Sequence, residues 1–262
     1  MGLFGNIAHS VTRLGRRVMG DNRLLVRGYF EHIYRNEDPY QTRVDPLSDD
    51  KRADIVRALE GRRFRRGLEL GSGEGTLAVL YSGQVDELLL TDISARALAR
   101  ARERLDEKAP ATYSGPMPAA PGGGGALPHR PRVRTRRLDF VSDPLPGTFD
   151  LIICQESLVY TRPEDLPAVR DKILDALEDG GTLVLLHPRS IHDDDSGLEY
   201  KDIGAKTVHQ PFVDDARARV DLDEPHPMYR MTRIRKQAAG AEPARAATMR
   251  AAASRPTRQR AR

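Results

Sequence analysis

The sequence predicts an α/β fold: a mostly parallel, seven-stranded sheet with an antiparallel last strand and helices on both faces. Three observations carry this. From residue 64 to residue 187, short apolar runs alternate with helical stretches, the pattern of parallel strands joined by crossover helices. The first apolar run leads straight into Glu69-Leu70-Gly71-Ser72-Gly73-Glu74-Gly75, a strand–turn–helix junction. After residue 204 no long helix separates the remaining apolar runs, so an antiparallel pair would finish the sheet.

Taken in order, residues 3–18 place Leu3, Phe4, Ile7, Val11, Leu14 and Val18 at helical spacing, with the arginines largely on the other face. Such a helix packs on the domain or lies against a membrane surface or partner. Residues 23–36 and 51–60 also read as helices, the second capped by Ser48-Asp49-Asp50. Residues 36–40 form a turn-rich connector. Strands are expected at 66–70, 87–91, 133–138, 149–154 and 181–187, with helices at 75–82, 95–105 and 164–178 between them. The final strands are expected at 206–213 and 228–235. Residues 109–132 hold six prolines and five glycines. A segment of that composition cannot bury enough apolar surface to order itself, and it is expected to be a flexible insertion. The organisation is therefore an N-terminal helical lid or substrate-binding segment over 1–63, the sheet domain over 64–236, and a disordered basic tail over 237–262.

The net charge of +4 is unevenly placed. Residues 237–262 carry six arginines and one acid, and residues 1–35 carry six arginines and two acids. The body between them is mildly acidic, which argues against a nucleic-acid-binding core. Cys154 is the single cysteine. It excludes an internal disulfide framework, speaks against a cysteine-based zinc site, and suits a reducing cytoplasm. No run of 18 apolar residues could span a membrane, and Arg13, Arg16 and Arg17 interrupt any signal-peptide pattern.

The chemistry concentrates at the glycine turn. Glycines let the chain bend sharply and let a ligand approach the backbone. Asp92 ends the second strand 21 residues after Gly71, where a carboxylate could bind two ribose hydroxyls. A nicotinamide enzyme shares these features, but three observations oppose it. The glycine spacing lacks the last two-residue gap of the dinucleotide fingerprint. Glu69 stands where it would repel a pyrophosphate yet attract a cation. Further residues, Asp139-Phe140 and Gln155-Glu156, gather at the carboxyl ends of strands three and four, where ligands of open α/β sheets bind.

From about residue 64 to 236 these motifs resemble the Rossmann-like class I S-adenosylmethionine methyltransferases: an acid before Gly-x-Gly-x-Gly, Asp92-Ile93-Ser94, Asp139-Phe140, Phe149-Asp150-Leu151-Ile152, and Glu178-Asp179-Gly180-Gly181-Thr182-Leu183-Val184. The resemblance implies S-adenosylmethionine as cofactor and S-adenosylhomocysteine as product. It further implies that Glu69, Gly71, Ser72 and Gly73 cradle the methionine part. Asp92 would hold the ribose, Ile93 would pack on the adenine, Asp139 would bond its amino group beside Phe140, and Gln155 would face the sulfonium. The sequence is similar, more closely, to the nodulation-protein-S-like N-methyltransferases. The likeness lies in Tyr29-Phe30-Glu31-His32-Ile33-Tyr34 leading into Asp38-Pro39-Tyr40, in Gln155-Glu156-Ser157-Leu158-Val159-Tyr160, and in His187-Pro188-Arg189. Tyr40 and Pro188 stand where that family tends to carry Trp.

An amine acceptor must lose a proton before attack, and Glu156, Tyr160 and His187 are the candidate bases at strand ends. Tyr29, His32, Tyr34 and Tyr40, with Glu31, are candidate substrate-binding or lid residues. His192-Asp193-Asp194-Asp195 reads as a solvated acidic loop, since consecutive residues rarely all face one ion, and no metal is expected. The expected acceptor is a small molecule bearing an amine, such as an amino sugar or another specialised metabolite. Small-molecule O-methylation is the alternative. RNA methylation is a third reading, opposed by the lack of Asn-Pro-Pro-Tyr after strand four.

Overall fold

The computed structural model describes residues 22–43, 45–108, 131–189 and 203–238. The helix expected over 3–18 and the acidic run 192–195 lie outside them. So do nearly all of the insertion at 109–132 and of the tail at 237–262.

The chain begins with α1 (Arg23–Ile33) and α2 (Pro46–Ala58), then enters the sheet at β1 (Phe64–Leu70). It continues through α3 (Ala78–Tyr81), β2 (Val85–Asp92), α4 (Ala95–Lys108) and β3 (Arg132–Arg137). The second half runs β4 (Phe149–Gln155), α5 (Leu166–Ala176), β5 (Leu177–Pro188), α6 (Ala205–Val213), β6 (Ala218–Pro225) and β7 (Tyr229–Lys236). The seven strands form one sheet in the order β3-β2-β1-β4-β5-β7-β6. β1 through β5 pair in parallel, and β7 lies antiparallel between β5 and β6. The chain builds outward from β1 to β3 and then crosses back to β4. The order therefore reverses between β1 and β4, and a crevice opens at their carboxyl ends.

Strand side chains alternate between two apolar layers. Leu151, Ile153, Val184 and Leu186 face a core completed by Ile55 of α2 and Leu59 just beyond it, Tyr81 of α3 and Leu98 of α4. Ile152, Cys154, Leu183 and Leu185 face the opposite core, with Val169, Ile173 and Leu174 of α5 and Phe212 of α6. Burial on both faces explains why β4 and β5 read as continuous apolar runs.

Three expectations are corrected. Residues 206–213 form α6 and not a strand, because Ala205, Val208, His209 and Phe212 are the buried positions, a helical spacing that Pro211 obscures. The sixth strand is instead Ala218–Pro225, where charged Arg219, Asp221 and Asp223 alternate with Val220 and Leu222 on the sheet edge. The second helix starts at Pro46, earlier than the expected cap. The Asp45 side chain accepts from the Leu47 N–H at 3.2 Å, and a proline at the first helical position is pre-set for helix. Among the described residues no helix is long and apolar enough to cross a membrane.

Candidate active site

The crevice between β1 and β4 is lined by the glycine turn after β1, the ends of β2, β3 and β4, and the N-terminal segment. The turn is built by backbone geometry. Gly71 has φ +72°, in the left-handed region that glycine enters without strain. A Cβ there would stand 2.5 Å from the Ser157 Cβ, so this position also needs the missing side chain. The N–H groups of Gly71 and Ser72 both donate to the Thr91 carbonyl at 2.9 Å, which docks the turn on the end of β2. A Cβ on Gly73 would lie 2.9 Å from the Tyr34 hydroxyl, so the same turn makes room for the N-terminal segment.

Two buried carboxylates flank the turn. Glu69 points to the α3 side and accepts from the Tyr81 hydroxyl at 2.7 Å. Burial pushes its carboxyl up to about 7; the Tyr81 bond opposes this and nearby Asp92 adds to it. Asp92 accepts from the N–H groups of Gly73 and Ser94, both at 2.9 Å. Burial pushes it up to about 6 against those two bonds. The Ser72 and Ser157 hydroxyls also line the cleft, and both are buried without a protein partner.

At the end of β3, Asp139 and Phe140 line the cleft beside Ile93. Arg23 of α1 reaches across and grips both oxygens of the Asp139 carboxylate, one at 2.6 Å from its Nε. The Lys172 ammonium props this loop by donating to the carbonyls of Phe140, Val141 and Asp143. The α1 helix places Arg23, Val26, Phe30 and Tyr34 along the cleft. Glu31 anchors it by accepting from the Ser94 hydroxyl at 2.8 Å and the Ala95 N–H at 2.9 Å, at the start of α4. Tyr34 meets Tyr40 edge to face at 6.1 Å, and Phe30 meets Tyr160 at 5.3 Å. Tyr34, Tyr40 and Tyr160 thus line the cleft. Tyr29 packs edge-on against Phe30 and His32 is exposed; neither is part of the lining.

Gln155 and Glu156 extend from β4 into the cleft. Glu156 has φ +51°, an uncommon conformation for a side-chain-bearing residue. Its N–H donates to the Leu186 carbonyl at 2.8 Å. Its carboxylate forms an ion pair with Lys51 of α2.

His187, expected beside Glu156 and Tyr160, is placed differently. It is fully buried and is not part of the cleft lining. Its Nε2 accepts from the Leu158 N–H at 3.2 Å, and its Nδ1 faces His209 Nε2 at 2.9 Å. An N–H can only donate, so the His187 proton sits on Nδ1 and is given to His209. His209 Nδ1 then donates to Thr232 Oγ1 at 2.8 Å, and the Thr232 hydroxyl donates to Asp223 at 3.1 Å. Burial holds the His187 imidazole down to about 3, so it stays neutral. Nε2 braces the 158–160 turn, and Nδ1 is spent on His209.

Arg23, Phe30, Lys51, Arg52 and Ser157 are site residues that sequence reasoning missed. Ser157 follows the Gln155-Glu156 pair directly and could have been included with it. The others sit on helices whose packing has no signature in spacing. Among the described residues no group of three or more His, Cys, Asp or Glu could hold a metal ion.

Comparison with known proteins agrees with this geometry. The family model described as a methyltransferase domain matches residues 40–219. No curated protein matches the sequence. Among solved structures, the chain is similar to the N-methyltransferase NodS from Bradyrhizobium japonicum WM9 in complex with S-adenosylhomocysteine. The TM-score is 0.62 at 19% identity, over 80% of this chain and 97% of that one. It is also similar to the magnesium protoporphyrin IX methyltransferase ChlM from Synechocystis PCC 6803 with bound S-adenosylmethionine. There the TM-score is 0.55 at 15% identity, over 83% and 98% of the two chains. At these identities the likeness speaks for the fold, whereas the family match covers most of the chain and includes the glycine turn and the ends of β1 to β5. The chain belongs to the methyltransferase domain family.

Proposed function

We propose that this chain moves a methyl group from S-adenosylmethionine to an amine of a small-molecule acceptor. The observation that carries the proposal is the pair of buried carboxylates, Glu69 and Asp92, flanking a glycine turn in a cleft rimmed by aromatic rings. Such a cleft suits a ligand with positive charge. The two serine hydroxyls without partners fit the same ligand, because buried polar groups are normally satisfied. In this reading Glu69, Gly71, Ser72, Gly73 and Ser157 hold the methionine part, and Asp92 holds the ribose. Ile93 and Phe140 flank the adenine. Asp139 has four lone-pair directions, enough to accept from an adenine amino group as well as from Arg23. Residues 23–63 cover the cleft.

Bound there, S-adenosylmethionine supplies an electrophilic methyl carbon on a sulfonium, and the sulfur keeps the electron pair when the new nitrogen–carbon bond forms. The protein's contribution is alignment and exclusion of water, effects worth about 7–11 kcal/mol in well-oriented reactions. Glu156 holds the acceptor nitrogen and takes up its proton, and Tyr160 packs against it. His187 has no part in this, since its nitrogens are engaged elsewhere. The resemblance of Gln155-Glu156-Ser157-Leu158-Val159-Tyr160 to the N-methyltransferase motif favours an amine over a hydroxyl.

A panel of amino sugars, other small amines, hydroxyl-only analogues and RNA, assayed with methyl-labelled donor, tests the proposal. Label should enter the amines. Label confined to hydroxyls, or to RNA with salt-sensitive binding, would contradict it.

Donor affinity should also depend on pH. Glu69 and Asp92 are raised to about 7 and about 6, so both are ionised above neutrality and both become protonated as pH falls. A cation prefers the ionised forms. Affinity measured by calorimetry should therefore be full at pH 8 and weaken progressively towards pH 5, with protons released on binding near pH 6.5. A flat profile from pH 8 to 5 would show that these carboxylates do not face the donor's charges.

A further inference from the structure

We infer that Lys51 is a positioning residue for methyl transfer: it aims the Glu156 carboxylate at the acceptor end of the cleft and keeps it charged. The inference rests on the proposed role of Glu156.

Four observations support it. Lys51 and Glu156 stand 105 residues apart in sequence, yet their side chains form an ion pair. Lys51 is almost fully buried, with its ammonium 6.0 Å from the centre of the Tyr229 ring. Two other acids of α2 are engaged elsewhere: Asp49 by Arg52, and Asp54 by Arg57 and the Tyr229 hydroxyl. Finally, Glu156 has the left-handed backbone noted above and lines the cleft, so its own main chain already turns the carboxylate inward.

A buried ion pair is a poor device for stability, because desolvation offsets most of the attraction. It is a good device for fixing a charge and a rotamer. Other carboxylates line the cleft, Glu69 and Asp92 among them, both buried. Without a cation, a further carboxylate in the same crevice would be driven towards its neutral form. Lys51 supplies that cation. Tyr160 of its own turn and Tyr229 of β7 are phenols, and His187 of β5 is neutral. Arg52 of α2 lines the same cleft but donates to the Thr42 carbonyl and to Asp49. The Lys51 ammonium is the cation seated on the Glu156 carboxylate.

The test uses the full chain with Lys51→Met, Lys51→Arg and Glu156→Gln. Carbon-13 NMR of labelled glutamate carboxyls, with Glu156 assigned by its loss in Glu156→Gln, reads the ionisation of Glu156 directly. In Lys51→Met the Glu156 midpoint should rise by about one to three pH units, the usual effect of removing a cation in contact. The acid limb of the pH profile of kcat/KM for the amine acceptor should move up with it. At pH 7, kcat/KM should drop at least tenfold, with donor affinity held within about twofold. Lys51→Arg should restore the midpoint and most of the rate. An unmoved midpoint in Lys51→Met overturns the inference, as does a rate loss that tracks donor affinity or that Lys51→Arg does not rescue. If Lys51→Met does not fold, Lys51→Gln takes its place with the same outcomes. A wild-type chain that methylates no amine contradicts the proposed function, while the NMR midpoint still tests the ion pair by itself.

Discussion

Replacing Gly71 with alanine should abolish measurable donor binding and lower the stability of the fold by about 2–6 kcal/mol. Two effects add. The first is backbone strain: at φ +72° an alanine carries a left-handed penalty of about 1–3 kcal/mol. The second is collision. The new methyl would stand 2.5 Å from the Ser157 Cβ, so either the turn or the Ser157 loop must shift, and such overpacking typically costs about 1–3 kcal/mol. Either shift breaks the paired bonds from Gly71 and Ser72 to the Thr91 carbonyl and moves the floor of the donor site. Thermal melting should show a drop of roughly 4–24 °C for a domain of this size. Gly180 is the control. It has φ +75° but open space where a Cβ would go, so Gly180→Ala carries strain without collision and should leave donor binding intact. Equal effects at the two positions would contradict the close approach at Gly71.

Asp92→Ala should weaken donor binding by on the order of 10- to 100-fold, the loss expected when charge-assisted hydrogen bonds worth about 1.5–3 kcal/mol are removed. The substitution also leaves the Gly73 and Ser94 N–H groups without their acceptor. Stability should therefore fall as well, by about 1–3 kcal/mol per orphaned group. Asp92→Asn separates the two consequences. An amide keeps one acceptor oxygen and nearly the same shape, so the melting temperature should recover more than the affinity. Titration calorimetry on both variants, each checked as folded by circular dichroism, reads the difference. Unchanged affinity in folded Asp92→Ala would overturn the assignment of Asp92 to the donor's ribose.

What was legible in the sequence was what is local. The central strands β4 and β5 are buried on both faces, so they stand out as apolar runs between helices. The glycine turn and Asp92 are visible because each sits at a strand end, where ligands of such sheets gather. The last part of the sheet was harder. The helical spacing of Ala205, Val208, His209 and Phe212 spans only two turns and contains Pro211, so it resembled an extended run. Edge strand β6 alternates its apolar residues with charges that ion-pair across to β7, as Arg230–Asp223 and Arg235–Asp221 do, and so it read as loop.

Within the site, the limit was pairing across long separations. Arg23 meets Asp139 over 116 residues, and Lys51 meets Glu156 over 105. No spacing rule connects such residues; only the packing of α1 and α2 over the sheet does. His187 shows the same limit in reverse. Its position at a strand end suggests a base, but whether its nitrogens are open depends on His209, which belongs to α6, and on the turn at Leu158.

The central claim is that a sharp turn between two buried carboxylates forms a seat for a cationic methyl donor. Titration of the purified chain with S-adenosylmethionine at pH 8 tests it most directly. The expected result is saturable one-to-one binding that S-adenosylhomocysteine competes away and that Gly71→Ala abolishes. Absence of heat with either compound, from a chain shown to be folded, would contradict it.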